Sequence, residues 1–298
     1  MKRYRFTSFD GKKIAVTEWK PEGEIRGIVQ ISHGMAEHSL RYNELAMRLV
    51  ESGYLVFADD HRAHGETDRK TLGWSAGDIF NDTIKDMALL AEKYRAEYPG
   101  RKIVLYGHSY GSFLTQAYIQ RYASYDAAVI GGSARMNGAL SFGGKVISSL
   151  GCTFRGERAA GVLMRKMTFD SYNKKFRQGN FVTSVKNEAE RYEKDPLCSF
   201  TCSYGFYKSF MSGLTRLYTK RGLHKIDKNK PILILSGEKD PVGGCGKDTR
   251  KLFALYQKIG IRDVTLCLLP ESRHEYFNDK EKERAYKAFF DFVARVTG

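Results

Sequence analysis

Lys102-Ile103-Val104-Leu105-Tyr106-Gly107-His108-Ser109-Tyr110-Gly111-Ser112 carries a short apolar, β-branched run into Gly-His-Ser-Tyr-Gly and then into a helical stretch from Phe113 to Tyr122. G-x-S-x-G recurs by chance in many chains, but a strand before it and a helix after it give it chemical meaning. A serine hydroxyl attacks well only when it projects from a sharp turn toward a base. Gly107 and Gly111 flank that turn because a side chain at either place would strike the neighbouring strand or helix. The following helix aims free N–H groups and the positive end of its dipole at the place where an oxyanion would form. Ser109 is therefore the candidate nucleophile.

The same alternation continues on both sides. Residues 4–19 read as a hairpin turning at Asp10-Gly11. Gly27-Ile28-Val29-Gln30-Ile31-Ser32 is a nearly continuous apolar strand, the pattern of a strand buried on both faces in a parallel sheet. A helix follows with Leu45, Leu49 and Val50 on one face, stopped by Gly53. Further strands are expected at 54–58, 127–132, 231–237 and 264–269, with helices at 78–98, 247–259 and 281–296. Strands alternating with helices imply an α/β fold with a mostly parallel, doubly wound sheet. Residues 135–225 break the rhythm and look helical. The expected organisation is a core of 1–134 and 226–298 with an insertion at 135–225 above the strand ends, where such folds bind ligands.

Composition narrows the function classes. The chain has 298 residues, 42% apolar and 28% charged, ordinary for a globular enzyme. No apolar run is long enough to span a bilayer, and the basic N-terminus lacks the apolar core of a signal peptide. The 5 cysteines are scattered, which suggests free thiols in a reducing, cytoplasmic setting. Cys198-x-x-x-Cys202 lacks a second pair at zinc spacing, so no metal is expected. The net charge of +15 favours anionic partners. No nucleic-acid motif accompanies it, which leaves peripheral contact with an anionic membrane, or solubility alone.

A serine needs a base, and the base needs an orienting carboxylate. After an elbow of this kind they follow in the order acid, then histidine, beyond late strands. Strand 231–237 runs into Glu238-Lys239-Asp240-Pro241, and strand 264–269 into Pro270-Glu271-Ser272-Arg273-His274. His274 is the candidate base. Asp240 is preferred to Glu238 because Pro241 forces an extended backbone at the residue before it. The oxyanion donors are the backbone N–H of Tyr110, next to the nucleophile, and that of Met35, in the loop after strand 27–32. His61-Arg62-Ala63-His64 reads as a structural loop, not a metal site. Cys245 is expected as a partly accessible thiol in a loop bordering the site.

Together, His33-Gly34-Met35-Ala36-Glu37-His38 with Arg41-Tyr42, Asp60-His61-Arg62-Ala63-His64-Gly65, Gly107-His108-Ser109-Tyr110-Gly111, Asp195-Pro196-Leu197, Gly237-x-x-Asp240-Pro241-Val242 and Arg273-His274-Glu275 resemble the monoacylglycerol lipase / lysophospholipase branch of the α/β-hydrolases. Ala63 stands where that family usually has glycine. The resemblance implies a cofactor-free serine hydrolase with a mobile helical cap (lid) over an acyl-binding channel. It matches Ser109, Asp240 and His274 to the triad, and Met35 and Tyr110 to the oxyanion hole. The implied substrate is a single-chain acyl ester such as a monoacylglycerol or lysophospholipid, without nucleic acid or metal. Two other readings stand beside it: a hydrolase of small non-lipid esters or amides, and a degenerate hydrolase serving as a basic membrane-binding module.

Overall fold

Gly27–Ser32 (β3), Tyr54–Asp59 (β4) and Ile103–His108 (β5) are buried along their whole length, as their nearly continuous apolar character predicts. In the computed structural model, which describes residues 1–177 and 180–298, these strands form the middle of an eight-stranded sheet. The hairpin Lys2–Thr7 (β1) and Lys13–Trp19 (β2) closes one edge antiparallel. Ala127–Gly131 (β6), Ile232–Gly237 (β7) and Val264–Leu269 (β8) extend the other side in parallel. The order is β1-β2-β4-β3-β5-β6-β7-β8. The strand carrying the elbow, β5, is thus hydrogen-bonded on both edges, to β3 and β6, and its C-terminal end is held from two sides.

Successive side chains on a strand face opposite ways. Leu55 and Phe57 join Ile28 in one apolar cluster, with Ile79–Glu97 (α2) and Tyr110–Tyr118 (α3). Val56 and Ala58 join Val29 and Ile31 in another, with Asn43–Glu51 (α1) and Lys282–Thr297 (α11). The expected doubly wound sheet is what forms. Gly53, at φ 86, ends α1 in the left-handed conformation that glycine tolerates.

The elbow helix differs from its expected bounds. It begins at Tyr110 and ends at Tyr118, not Phe113 and Tyr122. Ser109 completes the reversal within a single residue, so helical geometry starts at once. Tyr110-Gly111-Ser112 has the composition of a turn, which conceals this. At the other end, Arg121 and Tyr122 donate their N–H groups to the Tyr118 carbonyl in a closing turn.

Between β6 and β7 lie Gly138–Arg155 (α4), Val162–Arg165 (α5), a π-helical turn at Lys166–Asp170, Ser171–Asn173 (α6), Lys186–Lys194 (α7), Tyr204–Leu217 (α8) and Lys220–His224 (α9). After β7 the alternation resumes with Lys247–Lys258 (α10), which packs beside β7 and β8. Small residues set the packing within the inserted segment. Gly144 and Gly151 of α4 let Met211 and Tyr204 of α8 approach closely, and Gly213 receives Phe80 of α2. The opposite face of α4 stays uncovered. Leu140 is 73% exposed, Phe154 81%, and Phe142 and Leu150 more than half. These side chains therefore do not pack this segment onto the sheet; Met164 and the inner face of α8 do that.

Candidate active site

Ser109 sits at φ 52, ψ −118 between β5 and α3. A non-glycine residue held there is strained by about 1–3 kcal/mol and persists only where its surroundings enforce it. Here they do. The Ser109 N–H donates to the Gly131 carbonyl of β6 at 3.0 Å, and the Ser109 carbonyl accepts from Ser112. A Cβ on Gly107 would collide with the Gly111 carbonyl and Thr115, and one on Gly111 with the carbonyls of Ser32 and His33. The close approach of β3, β5 and α3 is thus the reason for both glycines.

The structure brings His274 and Asp240 together from the loops after β8 and β7. His274 Nδ1 donates to Asp240 Oδ2 at 2.8 Å, and both side chains are buried. The other Asp240 oxygen accepts the Val242 N–H at 2.8 Å, which fixes the carboxylate. Glu238, the competing acid, pairs with Arg250 at the surface instead. Burial opposes protonation of His274, but the charge and hydrogen bond of Asp240, with Glu275 and Glu37 behind them, outweigh it. The imidazole pKa is raised above its ordinary value. With Nδ1 committed to Asp240, Nε2 is the nitrogen left for proton transfer. The His274 and Glu275 N–H groups donate to the carbonyls of Phe181 and Val182, so the segment between β6 and β7 buttresses the histidine loop.

Met35 lies in the loop after β3. Among the described residues its N–H donates to no backbone or side-chain acceptor, and the Tyr110 N–H is the first of α3, one that a helix leaves unpaired. The loop is held by groups the sequence scarcely advertised. Glu37 accepts the Gly34 N–H and the Tyr42 hydroxyl and pairs with Arg41, which in turn pairs with Glu275 beside His274. Burial, reinforced by Glu275, raises the Glu37 pKa. Both side chains of the Glu37–Arg41 pair are buried, so it is part of the interior and not a solvated surface pair.

The histidines of the neighbouring loop are structural. His33 donates from Nδ1 to the Gly34 carbonyl and accepts the His61 N–H at Nε2. His64 donates to the Arg62 carbonyl and accepts the Ala36 N–H. Both nitrogens of each ring are thereby occupied within the chain. Burial pushes His33 well down and His64 down to about 4, so both are neutral. Ala63, in the place of the family's glycine, takes φ 71, a left-handed conformation that glycine would adopt with less strain.

Ser109, Tyr110, Met35, Gly34 and His274 line one cavity with about 760 Å³ of space. Its walls are otherwise mostly apolar: Phe113, Met136, Phe169, Tyr172, Phe181, Phe210, Met211, Leu214 and Val242. Most of these come from the irregular segment between β6 and β7, where no motif marks them. Cys245 is exposed, and its loop reaches this wall through Val242, but the thiol itself is not part of the lining. Its loop turns outward through positive φ at Gly244, Cys245 and Gly246.

A family model described as serine aminopeptidase, S33, matches residues 23–281. The chain belongs to this family. Over 289 residues it is 27% identical to the monoacylglycerol lipase of Mycolicibacterium smegmatis, covering 94% of this chain and 92% of that one. Over 272 residues it is 26% identical to the human monoglyceride lipase, covering 89% and 80%. Among solved structures, a lipase in its open form superposes with a TM-score of 0.90 at 24% identity, covering 100% of this chain and 99% of that one; at that identity the likeness speaks to the fold, which is the α/β-hydrolase fold. As a family member with such relatives, the protein is a carboxylic ester hydrolase.

Proposed function

We propose that this family member hydrolyses single-chain acyl esters, such as monoacylglycerols or lysophospholipids, through a Ser109–His274–Asp240 triad. His274 Nε2 takes the proton from Ser109 Oγ as it attacks the ester carbonyl. The Met35 and Tyr110 N–H groups hold the oxyanion. His274 then gives its proton to the leaving alcohol, and water repeats the sequence on the acyl-enzyme. Asp240 keeps the imidazole in the required tautomer. The observation that carries the reading is the buried 2.8 Å His274–Asp240 bond beside a strained Ser109 in an apolar cavity. The apolar walls favour an acyl chain over the small polar esters or amides of the other reading. Hydrolysis of an ester panel graded by acyl length and head group tests it: rates should rise with chain length, and a preference for short or charged acyl groups would overturn it.

The base assignment sets a pH dependence. Protonated His274 cannot accept the Ser109 proton, so activity falls as pH drops through its pKa. Because that pKa is raised, the acid limb of kcat/KM should have its midpoint above about 6.5, the ordinary histidine value. A limb centred below about 6 would count against this environment for the base.

Residues 135–225 are the proposed cap, and the bare face of α4 its contact with an anionic lipid surface. Exposed Leu140, Phe142, Leu150 and Phe154 share α4 with Lys145 and Arg155, and exposed Val162 and Met167 adjoin Lys166 in the chain. Exposed large apolar groups among cations suit an interfacial rest. Among the described residues no helix is long and apolar enough to cross a membrane. The protein should sediment with phosphatidylglycerol vesicles at low salt and lose binding as salt rises, because the Debye length falls to about 10 Å at 0.1 M. Equal binding to neutral vesicles, or none at low salt, would leave the +15 charge as a solubility feature.

A further inference from the structure

Outside the cavity wall, among the described residues, one trio of metal-type donors converges: His38, Asp195 and Cys198, whose ligand atoms all lie within 4.8 Å of one another. We propose that this trio is a site for a zinc-type divalent cation that fastens the segment between β6 and β7 to the oxyanion loop. The donors come from two places. His38 ends the loop that contains Gly34, Met35 and Glu37. Asp195 and Cys198 rise from a single turn, closed by the Cys198 N–H donating to the Asp195 carbonyl at 3.0 Å. One Asp195 oxygen accepts the Leu197 N–H at 2.8 Å, and the other meets His38 Nε2 at 2.9 Å. The two pieces already touch beside the trio, where the Ser199 N–H donates to the Ala36 carbonyl at 2.9 Å.

Imidazole, carboxylate and thiolate are the mixed borderline donors that zinc takes, whereas magnesium and calcium require oxygen alone. Bonds of about 2.0–2.3 Å in a tetrahedron set donors roughly 3.3–3.8 Å apart, so modest side-chain shifts close the site and leave a fourth position for water. Access exists: the Asp195 side chain is 29% exposed while His38 is 9%. The surroundings tolerate a cation, since the nearby Arg41 is outnumbered by Glu37 and Glu275. On binding, the metal displaces the Cys198 thiol proton to solvent, and the carboxylate and thiolate together neutralise the divalent charge. Cys198 lacks a histidine near it in sequence; the fold supplies one.

The test uses the full chain stripped of metal, with Co²⁺ as the spectroscopic probe and Zn²⁺ by titration calorimetry. One equivalent of Co²⁺ should give a thiolate-to-metal charge-transfer band with visible bands of a four-coordinate ion. Zn²⁺ should bind with the same stoichiometry and raise the melting temperature. Cys198→Ser should abolish the charge-transfer band, and Cys198→Ser and Asp195→Asn should each weaken Zn²⁺ by at least about tenfold. Cys245→Ser should change neither. Cooperative melting of each metal-free variant verifies its fold. Should Cys198→Ser not fold, Asp195→Asn decides the question alone, because its carboxylate is partly exposed. Absence of the thiolate band, Zn²⁺ affinity unchanged in the variants, or a signal lost only in His274→Ala would overturn the proposal.

Discussion

Replacing Ser109 by alanine should lower kcat for ester hydrolysis by more than about a thousandfold while the protein still folds, a loss of at least about 4 kcal/mol of transition-state stabilisation. The activity is lost because, in the proposed triad, Ser109 supplies the hydroxyl that attacks the ester. The fold survives because the bonds that hold the turn come from the Ser109 backbone N–H and carbonyl, to Gly131 and Ser112. Steady-state kinetics on a medium-chain ester, with a thermal melt as control, check both halves. A variant that keeps more than about a thousandth of the activity would mean that another group attacks.

Asp240→Asn should come next in size, with a loss in kcat on the order of 10³–10⁴. The carboxylate fixes His274 Nδ1 as donor and stabilises the imidazolium. An amide of the same shape can present its NH₂ to Nδ1 and leave Nε2 protonated, the wrong tautomer for taking a proton. Because Asp240 also raises the His274 pKa, the residual activity should have its acid limb moved to lower pH. Glu238→Gln is the internal comparison. Glu238 pairs with Arg250 at the surface, and such pairs are worth little, so its kcat should change less than about threefold. Equal losses in the two variants would remove Asp240 from its special place.

Much of the sheet was legible because its signals are local. Nearly continuous apolar runs at 27–32, 103–108 and 232–237 are best satisfied by burial on both faces, and Gly53 stops a helix by backbone sterics. The placement of Ser109, Asp240 and His274 after β5, β7 and β8 was legible because each follows a strand end, and parallel strands end at the same edge. What escaped is what depends on distant contacts. The helix after Ser109 begins at Tyr110 because β3 and β6 enforce a one-residue reversal, a constraint invisible in Tyr110-Gly111-Ser112. The cavity wall escaped because Phe169, Tyr172 and Phe181 sit in short, irregular turns whose shape is set by packing on the histidine loop. The Glu37–Arg41–Glu275 link escaped in part: the first pair is local, but Glu275 is brought to it only by the fold.

The most direct measurement is reaction with a fluorophosphonate followed by peptide mapping of the adduct. A triad at Ser109, His274 and Asp240 predicts one phosphonyl group per chain, on the peptide containing Ser109, formed slowly in Asp240→Asn and not at all in Ser109→Ala. An adduct on another residue, or full labelling of Ser109→Ala, would contradict it.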